Sequence, residues 1–187
     1  MLLHKTYVVY GLHDKWGHKV DVQSQGLMWS TINETNVHNL FSNDLRRRAL
    51  FRKFLRRGFR GIVWAHGDRW VSYAWMSLPD TFGPPHLPPS IRQLQYYWIF
   101  YCRTREGYQG RGLYKASLVL LSRFAREADS AAQVYIDAEP DNYPSRRAIE
   151  ATGFVPAGVI ETWLLRLPRV SGVIWGRWDR SAWHPEI

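Results

Sequence analysis

The chain has 187 residues, of which 45% are hydrophobic and 22% charged, and a formal net charge of +9. These proportions suit one folded domain with a sizeable core and exclude a disordered chain, and no apolar run approaches the roughly 20 residues that a membrane helix needs. The single cysteine, Cys102, excludes an internal disulfide framework and is compatible with a cytoplasmic setting.

In chain order, "MLLHKTYVVYG" has no long apolar segment followed by a cleavage site, so it reads as no signal peptide, and its "TYVVYG" reads as a strand. The rest of the first forty residues has no clear period. "NDLRRRALFRKFLRRG" reads as a helix that Asn43 or Asp44 can cap and Gly58 can end. "FRGIVWAHGDRWVSYAWMS" is predicted to be two strands around a turn at Ala65 to Asp68. "PDTFGPPHLPPS", residues 79 to 90, holds four prolines within six positions and reads as a long loop inside the domain. "LQYYWIFYCRT" is so continuously apolar that it is expected to be a central strand buried on both faces. A helix from about Leu113 to Ala128 follows, then the strand "AQVYIDAE", a short helix in "YPSRRAIEATG" ending at Gly153, and strands around "GVIETWLLRL" and "GVIWGRWD". The order is that of a mixed α/β domain, and strand, crossover helix, strand implies a parallel pair at the sheet centre.

Gly107, Gly110 and Gly112 precede the long helix together with Arg105 and Arg111. The first N–H groups of a helix have no intrahelical partner and carry the positive end of its dipole, and glycines let a ligand approach them closely. The stretch is therefore either an anion site or an ordinary glycine turn. "GRGLYK" lacks the third glycine of a dinucleotide-binding Gly-x-Gly-x-x-Gly, and Gly-Lys-Ser/Thr is absent.

"QGRGLY" at 109 to 114 and "NYPSRRAIEATGF" at 142 to 154 open the two helices that flank one strand. Together they resemble the GNAT superfamily of acyl-CoA-dependent N-acyltransferases. Gln109 and Gly112 match that family's first motif, whose last position is here Tyr114 rather than a small residue; Asn142, Ser145, Gly153 and Phe154 match the second. The resemblance spans roughly residues 55 to 165. It implies a mixed central sheet, splayed between its fourth and fifth strands and flanked by helices, with residues 1–187 forming a single acyltransferase domain. It also implies acetyl-CoA as donor and a primary amine as acceptor. In such a fold the backbone of Gln109, Gly110, Arg111, Gly112, Leu113 and Tyr114 would hold the pyrophosphate of coenzyme A, with added charge from Arg111. The strand residues Cys102, Arg103 and Thr104 would pair with the pantetheine amides, and Asn142 and Ser145 would contact the same arm.

The family's usual base, a strand Glu, falls near Trp98, and its usual helix Tyr falls at Ile149. Neither can be carried over. The remaining acid–base candidates are Asp137 and Glu139, which share a face if their strand is regular, with Glu139 preferred as base and Tyr143 as acid. Cys102, with no His near it in sequence, reads as a small core residue; His13 and His18 lack metal-ligand spacing, and no metal is expected. The basic residues Arg46, Arg47, Arg48, Arg52, Lys53, Arg56 and Arg57 interleave with Leu45, Leu50, Phe51, Phe54 and Leu55, so one helix face is expected to be apolar and the other basic. That basic face is either a solvated surface or a site for an anionic acceptor, RNA or a membrane surface; the acceptor is preferred over nucleic acid for want of a binding motif. The acceptor expected is a small-molecule amine such as an amino sugar, with a protein N-terminus or lysine second. A non-catalytic acyl-CoA-binding module is the alternative, and a homodimer is left open.

Overall fold

The computed structural model describes residues 1–13, 26–166 and 171–182. One eight-stranded sheet runs through it, and its strands in chain order are β1 (Leu2–Leu12), β2 (Met28–Thr31), β3 (Arg60–His66), β4 (Arg69–Ser77), β5 (Tyr97–Thr104), β6 (Val134–Ala138), β7 (Phe154–Arg166) and β8 (Ser171–Asp179). Their spatial order is β2-β3-β4-β5-β6-β1-β7-β8. Every neighbouring pair is antiparallel except β5 and β6, the parallel pair joined by a crossover helix.

Helices α1 (Glu34–Leu40) and α2 (Leu45–Arg56) cover one face of the sheet, and the short α3 (Pro89–Arg92) packs against β8. Helices α4 (Leu113–Ala128) and α5 (Tyr143–Glu150) cover the other face. Strand alternation sorts the core accordingly. Tyr7, Tyr73, Trp75, Trp98 and Phe100 meet Phe41, Phe51 and Phe54 on the α1/α2 side, while Val8, Tyr10, Ile99 and Ile136 meet Leu118, Leu121 and Ile149 on the α4/α5 side. In α4 the buried Leu113, Ala116, Ser117, Leu121 and Ser122 recur at helical spacing.

Caps set several helix starts. The Asp44 carboxylate accepts from the Arg47 N–H at 2.9 Å, and the Asn142 side chain accepts from the Ser145 N–H at 3.3 Å. The basic helix departs from its expected partition at two places. Leu45 is exposed, and Arg47 turns inward, bound to Asp44 and to the Tyr73 hydroxyl at 3.2 Å. Both lie in the first turn, where the chain is still entering the helix. Among the first forty residues, β2 and α1 form without a strong sequence period, because β2 needs only to pair with the edge of β3. His18 lies outside the described residues.

Two irregularities in β5 shape the site. Its pairing with β6 stops after Tyr97↔Val134, Trp98↔Tyr135 and Ile99↔Ile136, although both strands run on. Beyond Ile99 the sheet opens into a V, and the burial expected on both faces of β5 holds only from Tyr97 to Phe100. The splay falls between β5 and β6, the fourth and fifth strands in the sheet's spatial order, as expected. On its other side β5 carries a bulge against β4, where Trp75↔Phe100 is followed by Tyr73↔Arg103. Tyr101 sits in that bulge at φ 51°, a left-handed conformation that costs a residue with a Cβ about 1–2 kcal/mol.

Candidate active site

The V opens into a cavity of about 1300 Å³. Its two faces differ in kind. On the α4/α5 side lies the turn before α4: a short 3₁₀ turn (Glu106–Tyr108), then Gln109, Gly110 at φ 76° and Gly112 at φ 77°. Left-handed φ at Gly112 aims the following peptide N–H groups outward as α4 begins, which is the geometry of an anion cradle. A Cβ added at Gly110 or Gly107 would meet nothing within 4 Å, so a ligand has room there. Gln109, Gly110, Gly112, Leu113, Tyr114 and Lys115 line the cavity. Arg111 is turned onto its own loop, donating to the Gly107 carbonyl at 3.3 Å with its guanidinium over the Tyr108 ring. Lys115, which the glycine motif does not include, is the cation lining this side.

Cys102, Arg103, Thr104, Asn142 and Ser145 also line the cavity. The Tyr114 hydroxyl meets the Ser145 hydroxyl at 3.0 Å, so the ring that replaces the motif's small residue reaches from α4 to α5. Burial pushes the Tyr114 phenol well up. Burial also pushes the Cys102 thiol up to about 12, against a Trp75 backbone N–H that favours the thiolate. A thiol held protonated in this way is no nucleophile at neutral pH.

On the α1/α2 side the cavity is lined by side chains. His86, from the proline loop, lies with Nε2 at 3.0 and 3.1 Å from the two Asp137 carboxylate oxygens. Trp98 donates its indole N–H to Asp137 Oδ1 at 2.6 Å. Asp137 is only 7% exposed, whereas His86 reaches the cavity. A carboxylate only accepts, so Nε2 carries the proton, and in the neutral imidazole that leaves Nδ1 as the acceptor. The loop is anchored on both sides of the imidazole: the Gly83 N–H donates to the Arg92 carbonyl and the Leu87 N–H to the Pro84 carbonyl, both at 3.1 Å. Tyr7 meets the imidazole edge-on at 5.5 Å. Its phenol is pushed up to about 12, first by burial and then by the charges of Asp137 and Glu139.

Glu139 lines the same cavity, but is half exposed and bound to Lys5 Nζ at 2.7 Å. Tyr143 is exposed beside Arg146 and is not among the lining residues. Sequence reasoning singled out Asp137 but passed over His86, Tyr7 and Lys115. His86 lies 51 residues from its partner, and no local spacing announces such a pair.

The family model described as "Acetyltransferase (GNAT) family" matches residues 28–154. The chain belongs to the GNAT acetyltransferase family. No curated protein matches it. Among solved structures it is similar to a GNAT-family acetyltransferase from Colwellia psychrerythraea, with TM-score 0.57 and 14% identity over 83% of this chain and 54% of that one. It is similar to a GCN5-related N-acetyltransferase-like protein from Streptococcus suis, with TM-score 0.55 and 17% identity over 87% of this chain and 61% of that one. A predicted acetyltransferase from Clostridium acetobutylicum, solved with acetyl-CoA, matches with TM-score 0.50 and 14% identity over 69% of this chain and 90% of that one. The chain thus spans about half to three fifths of the length of the first two. At such identities the likeness is one of fold.

Proposed function

We propose that this chain is an acetyl-CoA-dependent N-acetyltransferase acting on a primary amine of a small molecule, with residues 1–187 as one acyltransferase domain. The observation that carries the reading is the opening between β5 and β6, with a glycine turn on one face and a hydrogen-bonded His–Asp pair on the other. The glycine turn fits a pyrophosphate: its N–H groups point outward, space is open around Gly110, and Lys115 is at hand. Gln109 to Tyr114 would hold that group, Arg111 could add charge by swinging off its loop, and the exposed backbone of Cys102, Arg103 and Thr104 would pair with the amides of the arm. Asn142 and Ser145 would flank it, with the Tyr114–Ser145 hydrogen bond giving way. Acetyl-CoA, when bound, supplies the acyl group already activated as a thioester.

The chain's own residues then have definite tasks. An amine acceptor must lose a proton before it can attack. His86 Nδ1 is the base with a free lone pair, Asp137 fixes the imidazole's tautomer and stabilises the imidazolium, and Trp98 fixes Asp137. Glu139 adds negative charge that favours the incoming ammonium. Tyr101, in the bulge where β5 departs from the β4 ladder, lines the opening, and its peptide N–H can donate to an oxygen there. Tyr7, kept protonated by burial, is an acid within the cavity. Tyr143, outside the cavity lining, would need to move to serve in that role. A lysine or protein N-terminus would meet the same base.

The test is calorimetry with coenzyme A, followed by thiol release from acetyl-CoA against a panel of amines. Binding with turnover supports the enzyme. Tight binding with no turnover on any amine supports an acyl-CoA-binding module, and no binding rejects the reading.

A further inference from the structure

Resting on the N-acetyltransferase reading, we propose that the acceptor carries an anionic group, a carboxylate or phosphate, several bonds from its amine, and that Arg103 and Arg105 beside Trp70 hold it. Arg103 pairs across the ladder with Tyr73, so both side chains stand on the same face. Tyr73 packs on Phe41 and Phe51, which makes that the α1/α2 face. Arg105 lies over the Trp70 ring at 4.1 Å, and Trp70 stacks on Phe41, on the same face. The glycine turn and Lys115 belong to the opposite, α4 face. These guanidinium groups are therefore on the wrong side to serve the pyrophosphate, and on the side where His86 waits for the amine.

Their charge is also free. Arg47, the third guanidinium in this part of the cavity, is bound to Asp44 and Tyr73. The Arg103 side chain has no hydrogen-bond or ion-pair partner among the described residues; Arg105 has its ring contact and a backbone bond to Val71, and makes no ion pair with Glu106 beside it. An exposed guanidinium stacked on an indole is pre-set for planar recognition of a carboxylate or phosphate. Across the opening the polarity reverses, because Asp137 and Glu139 stand on the β6 limb. The cavity is thus acidic where an amine would enter and basic along β5.

Spacing narrows the class. Phe100 is the β5 residue beside His86, and Arg103 is three residues further on. At about 3.3 Å per residue that is roughly 10 Å of strand, less what the bulge and the long arginine arm take back. An α-amino acid, whose two charges are one carbon apart, cannot use both ends. An ω-amino acid or an amino sugar phosphate can.

The experiment compares matched probes: 6-aminohexanoate against 1-aminohexane, and glucosamine 6-phosphate against glucosamine. With acetyl-CoA saturating, kcat/KM should favour the anionic member of at least one pair by about tenfold or more, the pair that does so telling carboxylate from phosphate. Arg103→Met and Arg105→Gln should each shrink that ratio, the double variant bringing it near unity. Binding of the same probes, followed by tryptophan fluorescence, provides a readout independent of turnover. Should coenzyme A fail to bind, the acetyltransferase reading falls, while arginine-dependent binding of the anionic probes would still uphold the anion subsite. No preference for either anionic probe in wild-type kinetics and binding overturns the proposal, with no need for a variant to fold. A preference that survives the double variant overturns it equally.

Discussion

On the α4/α5 face of the cleft the anion cradle is made of peptide N–H groups of one short turn, whereas the acid–base groups of the α1/α2 face are side chains drawn from β1, β5, β6 and the proline loop. The first kind of site depends on conformation, because any residue that can adopt the turn presents the same N–H. The second depends on identity, because a histidine held by a carboxylate has no backbone substitute. Variants on the two faces should therefore fail differently, one in cofactor affinity and the other in turnover.

The largest effect is expected on the identity-dependent face. His86→Ala and Asp137→Asn should each lower kcat by about 10²–10⁴-fold, the range for a positioned general base. Affinity for coenzyme A should stay within a few-fold, since neither side chain faces the glycine turn. A turnover within a few-fold of wild type in both variants would remove the pair from the mechanism, and a parallel loss of coenzyme A affinity would dissolve the distinction between the faces.

Next comes the conformation-dependent face. Gly112 stands at φ 77°, so Gly112→Val must pay about 1–2 kcal/mol or rebuild the turn. Calorimetry should show coenzyme A binding about 10–100-fold weaker in a chain that still unfolds cooperatively. Arg111→Ala in the same turn should cost only a few-fold, because that side chain is occupied with Gly107 and Tyr108. Were Arg111→Ala the more damaging of the two, side-chain charge rather than backbone geometry would hold the anion.

The same contrast explains what could be read from the residues alone. The helix from Leu113 to Ala128, the cap at Asp44, the parallel central pair and the turn at Gly112 all leave local marks: apolar period, a capping carboxylate, glycines at fixed offsets. The strand β2 and helix α1 leave little, since an edge strand of four residues has too few positions to show alternation. The pairing of His86 with Asp137 leaves none, although Asp137 alone stands out at its strand end. Trp98 occupies the place where the resemblance leads one to expect a Glu, and by itself it offers no carboxylate. In three dimensions a carboxylate stands one strand across, at Asp137, and accepts from the Trp98 indole N–H. His86 sits among prolines whose evident meaning is a rigid loop; that rigidity is what presents the imidazole, but nothing in the spacing says toward what. Glu139 attracts attention because it lies at the strand end beside the motif, yet its position in space also depends on Lys5, 134 residues away.

Stability at high pH is a property on which the two faces should agree, because each buries a phenol. For Tyr7 the folded value is about 12 against an ordinary 10. Between those values the unfolded chain has released a proton that the folded chain still holds, so stability falls as pH rises through that window and is unaffected below it. By pH 11 the loss from this one group is at most about 1.4 kcal/mol, less whatever solvent screening removes. Urea unfolding at pH 8 and pH 11 should show wild type losing more stability than Tyr7→Phe by about that amount. Equal losses would mean that the phenol is not buried as described.

The smallest effect is expected at Glu139, and it tests where the identity-dependent site ends. Glu139 lines the cavity beside Asp137 but is half exposed, and its carboxylate is bound to Lys5, itself 40% exposed. Exposed ion pairs are worth about 0–1 kcal/mol, and a carboxylate engaged in one is a poor proton acceptor in competition with an oriented imidazole. Glu139→Gln should therefore lower kcat/KM by only a few-fold, mainly through KM for the amine, because what is lost is a charge that favours the incoming ammonium. The effect should shrink with added salt, as exposed charges are screened over about 8 Å at physiological ionic strength. A drop of 10²-fold or more in kcat, insensitive to salt, would make Glu139 the base and reduce His86 and Asp137 to its supports. The acceptor would then approach from the outer rim of the β6 limb, near Lys5, rather than across the floor of the V.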